Sequence, residues 1–280
     1  MLVNGSAPVG RRGERVVSKA LTYASYLRLD ELLNIQTPRS AGPGGAEHDE
    51  LLFIVVHQVY ELWFKEVLHE LDHMQDLLRA NEAARAAHTT RRVLAILKTI
   101  VAQLDVMETM TPLEFNAFRG YLESSSGFQS AQFREIEFAC GYKRDGVPRH
   151  YPEGSPERAR LVDRFERPTL WDAFLRYLHL SGHAVPADAL ARDVRAPVAP
   201  MEGVQEVLVD VYRHDDAARN VCEGLVDIDE GFQEWRYRHA KMVERTIGAK
   251  MGSGGSGGAS YLATTIKPFF PDLWAIRSRL

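Results

Sequence analysis

The chain has 280 residues, 45% of them apolar and 26% charged, with 34 basic against 38 acidic side chains for a formal charge of −4. That is the composition of a globular protein with a sizeable core, and it lacks the strong basic excess of a nucleic-acid scaffold. Two cysteines, Cys140 and Cys222, exclude a disulfide framework and suit a reducing, cytoplasmic setting, and the longest purely apolar run, 51–56, is far too short for a membrane span.

Residues 1–18 are small, polar or basic and without periodicity, so they read as an arm with no secretory signal. Over 19–35 Leu21, Leu27, Leu29, Leu32 and Leu33 recur at helical spacing, before Thr37-Pro38 and the glycines around Pro43 break the chain. Residues 48–80 predict one long helix. The run 51–56 alone would suit a strand, but Val59, Leu62, Trp63, Val67, Leu71, Met74 and Leu78 follow a helical period without Gly or Pro. A second helix is expected over 82–110. A third starts at Thr111-Pro112, with Thr as N-cap, Pro at N1 and Glu114 at N3, and runs to about Leu122. A shorter helix over 129–139 precedes a loop over 141–156. Helix is expected again over 157–180 with a break at Pro168, then over 204–212 and 217–250, followed by a Gly/Ser stretch and a short terminal helix.

No convincing strand or repeat is visible. The class is all-α, a long-helix bundle with helical core over 19–141 and 201–280 and a small helical and loop insertion over 142–200.

Two motifs invite misreading. His69-Glu70-Leu71-Asp72-His73 matches a zinc-protease motif. Asp76 and Arg79 stand where a glycine and third histidine would follow, so the preferred reading is a solvated face with Glu66, Glu70, Asp72 and Asp76 around two exposed histidines. Gly252-Ser253-Gly254-Gly255-Ser256-Gly257 matches a dinucleotide fingerprint but follows a long helix, not a strand. It is a flexible linker or a loop whose bare amides approach a ligand, and the aromatic tail beyond it favours the loop.

Three segments concentrate unusual residues. Phe53 and His57 share a face of an apolar helix, where the histidine is either a hydrogen-bonded core residue or a functional one. Arg119 sits among Phe115, Phe118 and Leu122, either paired with an internal acid or awaiting a ligand carboxylate. His239, in Trp235-Arg236-Tyr237-Arg238-His239, is a surface residue or a metal ligand.

Taken in order, His57-Gln58 with Glu61-Leu62-Trp63-Phe64-Lys65, Phe118-Arg119 with Ser126-Gly127-Phe128-Gln129-Ser130, and Tyr237-Arg238-His239 leading to Gly252-Ser253-Gly254-Gly255-Ser256 resemble the tryptophan 2,3-dioxygenase family. The resemblance runs from about Leu21 to Trp274 and is weakest in the arm and over 141–200. It implies an all-α homotetramer, one haem b per subunit, and O₂ insertion into the indole C2–C3 bond of L-tryptophan to give N-formylkynurenine. It implies His239 as the axial iron ligand, His57 as the distal catalytic histidine on the indole N–H, and Arg119 as the carboxylate clamp. Phe53, Phe115 and Leu122 would wall the indole, and Tyr23 and Tyr26 would complete a neighbouring subunit's pocket. Ser253 stands where the family usually has threonine, and Gly257 where it commonly has serine. The slack left by the missing methyl keeps one alternative open: a related haem monooxygenase forming a 2-oxindole from tryptophan or a β-substituted tryptophan. Neither cysteine has flanks that suggest thiolate ligation, which leaves histidine to hold iron.

Overall fold

The computed structural model describes residues 20–41, 44–252 and 258–280. The arm over 1–18 and the Gly/Ser positions Ser253 to Gly257 lie outside the described residues. The described residues form α- and 3₁₀-helices and no strand, as the all-α expectation has it.

They fall into two compact units, the first ending at Thr37 and the second spanning Pro38–Leu280. In the first unit, the single helix expected over 19–35 is two short ones, α1 (Tyr23–Leu27) and α2 (Leu29–Leu32). Thr22 and Ser25 close a capping box at the start of α1. Arg28 then adopts a left-handed conformation with φ 52°, and its N–H caps Ala24 O, which ends α1. The Arg28 side chain bonds Glu31 across the break, Nε to Oε1 at 2.8 Å. Leu21, Tyr23, Tyr26 and Leu33 are all more than two thirds exposed.

The second unit is built on α3 (His48–Arg79), α4 (Ala83–Met107) and α11 (Asp216–Ile247). The buried positions of α3 step by three and four: Val56, Tyr60, Phe64, Val67, Leu71, Met74 and Leu78. They pack on Val93, Leu97, Ile100 and Leu104 of α4 and on Leu225, Ile228, Phe232 and Trp235 of α11. Gly224 and Gly231 of α11 lie against α4. A Cβ at either would stand 2.9 Å from Thr90 Cγ2 or Leu97 Cδ1, so the two helices approach closely there. Asp215 opens α11, accepting from Ala218 N at 2.9 Å and from His183 Nε2 at 3.0 Å.

Thr111 and Glu114 form the expected capping box on α5 (Pro112–Arg119), which passes into a 3₁₀ turn over Gly120–Leu122. Ser130 caps α6 (Ala131–Ala139), two residues later than expected because Gly127–Gln129 is a 3₁₀ turn. Next come α7 (Pro156–Glu166) and α8 (Leu170–Leu180), broken at Pro168 as expected. Leu161 of α7 joins Phe138, Val147 and Tyr151 in a small satellite core, whereas Trp171 and Phe174 of α8 belong to the main core. A short α9 (Ala187–Leu190) follows α8, and α10 (Glu202–His214) packs on α11. The end of the chain, α12 (Ala259–Ala263) and α13 (Pro271–Ala275), is fastened through Asp229 of α11. That buried carboxylate accepts from Phe269 N, Phe270 N and Trp274 Nε1 at 2.9–3.0 Å.

Candidate functional site

A cavity of about 490 Å³ opens between α3, α5, α6, α11 and α12. It is of ligand-pocket size and mostly apolar. Phe53 and His57 line it from α3, Phe115 and Arg119 from α5, Leu122 from the following turn, and His239 from α11. Six of the nine residues singled out in the sequence therefore meet in one space. Tyr23 and Tyr26 lie on α1 in the first unit, with both rings exposed. Ser253 is outside the described residues.

His57 Nδ1 is 2.7 Å from Phe53 O. A carbonyl only accepts, so Nδ1 carries the proton and Nε2 is left as a bare acceptor. Burial pushes the His57 pKa below the ordinary histidine value, partly offset by that bond and by Glu61. The ring is thus neutral at neutral pH. Its flank stacks on Phe53, ring centroids 4.1 Å apart, and Phe53 stands 5.9 Å from Phe115, which makes an aromatic wall beside an imidazole.

His239 lies parallel to the Trp235 ring, centroids 5.1 Å apart and planes 3° from coplanar. Burial, with His57 and Arg134 nearby, pushes its pKa down to about 4. The neutral ring carries one N–H and one bare nitrogen, and neither has a hydrogen bond among the described residues. The surface-residue reading of His239 does not hold: it is a half-buried cavity residue.

Arg119 makes no ion pair among the described residues. Its Nη2 donates to Met251 O, the carbonyl just before the Gly/Ser tract. A guanidinium held by one neutral carbonyl at a cavity wall keeps most of its donors for a ligand.

Several lining residues were not singled out as site residues by the sequence. Glu61 lines the cavity one turn beyond His57 and accepts from Gln132 Nε2 at 2.8 Å. Arg134 and Arg236 also reach the wall. Sequence spacing shows that such side chains share a helix face, but not which cavity that face meets.

The zinc-motif histidines are elsewhere. His69 and His73 are exposed, as expected. Their acidic neighbours correct the picture of a solvated face. Glu70 is buried and pairs with Arg92 at 2.5 Å, and Asp72 pairs with Arg164 through two bonds, one of 2.9 Å. Among the described residues no three His, Cys, Asp or Glu side chains cluster as a metal cage. Cys140 and Cys222 are buried free thiols with pKa values pushed up by burial, unsuited to thiolate chemistry. No helix of the described residues is long and apolar enough to cross a membrane.

The donor set of the cavity thus favours a metal that brings its own ligands. A bare ion needs three or four protein donors, whereas iron in a porphyrin needs one axial imidazole. His239 and His57 are both neutral imidazoles in this apolar space and could supply that one ligand.

A family model described as tryptophan 2,3-dioxygenase matches residues 10–166 and 196–280. Curated relatives carry the same name. One from Herpetosiphon aurantiacus is 64% identical, covering 94% of this chain and 100% of its own length. One from an Anaeromyxobacter strain is 57% identical over 94% of this chain and 97% of its own length. One from Saccharopolyspora erythraea is 41% identical over the whole of both chains.

Proposed function

The chain belongs to the tryptophan 2,3-dioxygenase family, and from that premise we propose that it holds haem b on His239 and oxidises L-tryptophan with O₂ to N-formylkynurenine. The observation that carries the proposal is two neutral imidazoles, His57 from α3 and His239 from α11, lining one apolar cavity beside an arginine without an acidic partner. The haem supplies the O₂ chemistry that opens the indole C2–C3 bond. All else is positioning by the chain.

His57 Nε2, fixed as an acceptor by the Nδ1 bond to Phe53 O, takes the hydrogen bond of the indole N–H. Phe53, Phe115 and Leu122 bound the indole and keep water from its faces. Arg119 exchanges Met251 O for the substrate carboxylate, and a charged, two-bonded partner outcompetes one neutral carbonyl. Ser253 supplies a hydroxyl to the ammonium and carboxylate. Tyr23 and Tyr26 close the pocket of a neighbouring subunit in a homotetramer, a role that suits their exposure. The segments 19–141 and 201–280 form the haem-binding core, and the 142–200 insertion is not wholly outside it, since Trp171 and Phe174 of α8 pack into the same core. The buried free thiols suit a cytoplasmic enzyme.

Absorption spectroscopy tests the proposal. The purified protein should show a Soret band that His239→Ala loses and His57→Ala keeps. Protein that takes up no haem contradicts it.

A further inference from the structure

Outside the groups assigned above, the most conspicuous unanswered charge is an arginine cluster on Glu137 of α6. The Glu137 carboxylate is fully buried. It accepts from Arg134 Nη1 at 2.7 Å, from Arg236 Nη2 at 2.9 Å, and from Arg144 Nη2. Three cations share one anion. Arg134 is 7% exposed and Arg236 3%, and both line the cavity. The Nε atoms of all three arginines are buried with no hydrogen-bond partner among the described residues.

Nearby acids are already engaged. Glu61 accepts from Gln132, Glu135 pairs with Arg160, and Asp72 with Arg164. Even counting Glu61, three guanidinium groups face two carboxylates. A buried positive surplus is unfavourable unless an anion answers it. Arg236 registers the strain: burial pushes its pKa down against the pull of Glu137, and the neighbouring Arg134 adds to the push. The bonding pattern also indicates the shape of the missing partner. Arg134 engages Glu137 through Nη1 and leaves its Nε–Nη2 edge, which matches a carboxylate fork. Arg236 engages Glu137 and Lys267 O through its two Nη atoms and leaves Nε.

We infer that Arg134 and Arg236 hold the two propionate carboxylates of the haem, with Glu137 as the positioning residue that fixes both guanidinium planes. The inference rests on the haem reading above. It assigns the cluster a ligand with two carboxylates on one edge of a flat apolar body, which matches an apolar cavity with cations in its wall.

The test uses the holoprotein and follows haem release into excess apomyoglobin. Haem dimethyl ester, with both carboxylates masked and the ring and iron unchanged, serves as the second ligand. Wild-type protein should lose the ester roughly tenfold to a hundredfold faster than haem, as expected for lost charge-assisted bonds. Arg134→Met, which leaves Arg236 in place, should lose haem at a rate between those of haem and ester from wild-type protein, with the ester rate little changed, and Arg134→Lys should lie nearer wild type. Equal release of haem and ester from wild-type protein would overturn the inference while leaving the proposed function standing. So would an Arg134→Met variant that releases both ligands faster by one factor, since that marks a packing role. A protein with no Soret band overturns both. The wild-type comparison needs no variant to fold.

Discussion

The site depends on a few side chains whose protonation and bonding are set by burial. Arg119 is the clearest case, a cavity guanidinium with a single carbonyl partner. In the proposed function, removing it leaves the substrate carboxylate without its charged partner. Arg119→Ala should raise the KM for L-tryptophan roughly tenfold to a hundredfold with the Soret band unchanged; an unchanged KM would assign the carboxylate to another residue. His57 carries a pH signature. Its pKa lies below the ordinary value of 6.5 because the ring is buried. The ring therefore takes up its proton at a lower pH than an ordinary histidine, and Nε2 stays an acceptor at neutral pH. In steady-state assays the acid limb of kcat/KM should be centred below pH 6.5 and be missing in His57→Ala. A limb centred at or above 6.5 would mean that the ring is not buried and neutral. That these residues belong together in one cavity was legible in the sequence because each stands in a distinctive string. Arg134 and Arg236 were not: what marks them is a shared acid, Glu137, and Arg236 meets it from a helix 99 positions away.

At the scale of elements, α11 carries His239 at one end and is held at the other by its Asp215 cap. The Ala218 N–H, followed by His183, holds the Asp215 carboxyl below its ordinary pKa of 3.8. A carboxylate with a lowered native pKa stabilises the fold above its unfolded pKa and ceases to do so as the pH falls through the native one. Asp215→Ala should cost about 1 kcal/mol at pH 7 by urea denaturation, and the difference from wild type should shrink below pH 3.8. An undiminished difference at pH 3 would locate the effect in packing. Helix existence was well predicted because α3, α4 and α11 have long, uninterrupted periods and because Thr111, Ser130 and Pro168 mark ends. The break at Arg28 was not predicted. Arginine is no breaker by type, and the left-handed turn there is supported by a cap and a Glu31 contact that spacing does not reveal. Glu70 was misplaced for a similar reason, since its partner Arg92 comes from another helix.

For the whole molecule, the chain divides into a short first unit ending at Thr37 and a second unit that holds the long helices. The first unit leaves Leu21, Tyr23, Tyr26, Leu33 and Ile35 exposed, and the proposed pocket shared between subunits would cover Tyr23 and Tyr26. Tyr26→Ala should lose activity while retaining haem and the tetramer. Hybrid tetramers assembled from Tyr26→Ala and Arg119→Ala chains should regain part of the activity that each lacks alone, because some pockets then draw both intact residues from different chains. No recovery would place both residues in one chain's site.

The reaction itself is tested by the mass of the product formed from L-tryptophan under ¹⁸O₂. N-formylkynurenine carrying two labelled oxygen atoms is expected, with the yield lost in His239→Ala. A product that gains a single oxygen, as a 2-oxindole would, contradicts it.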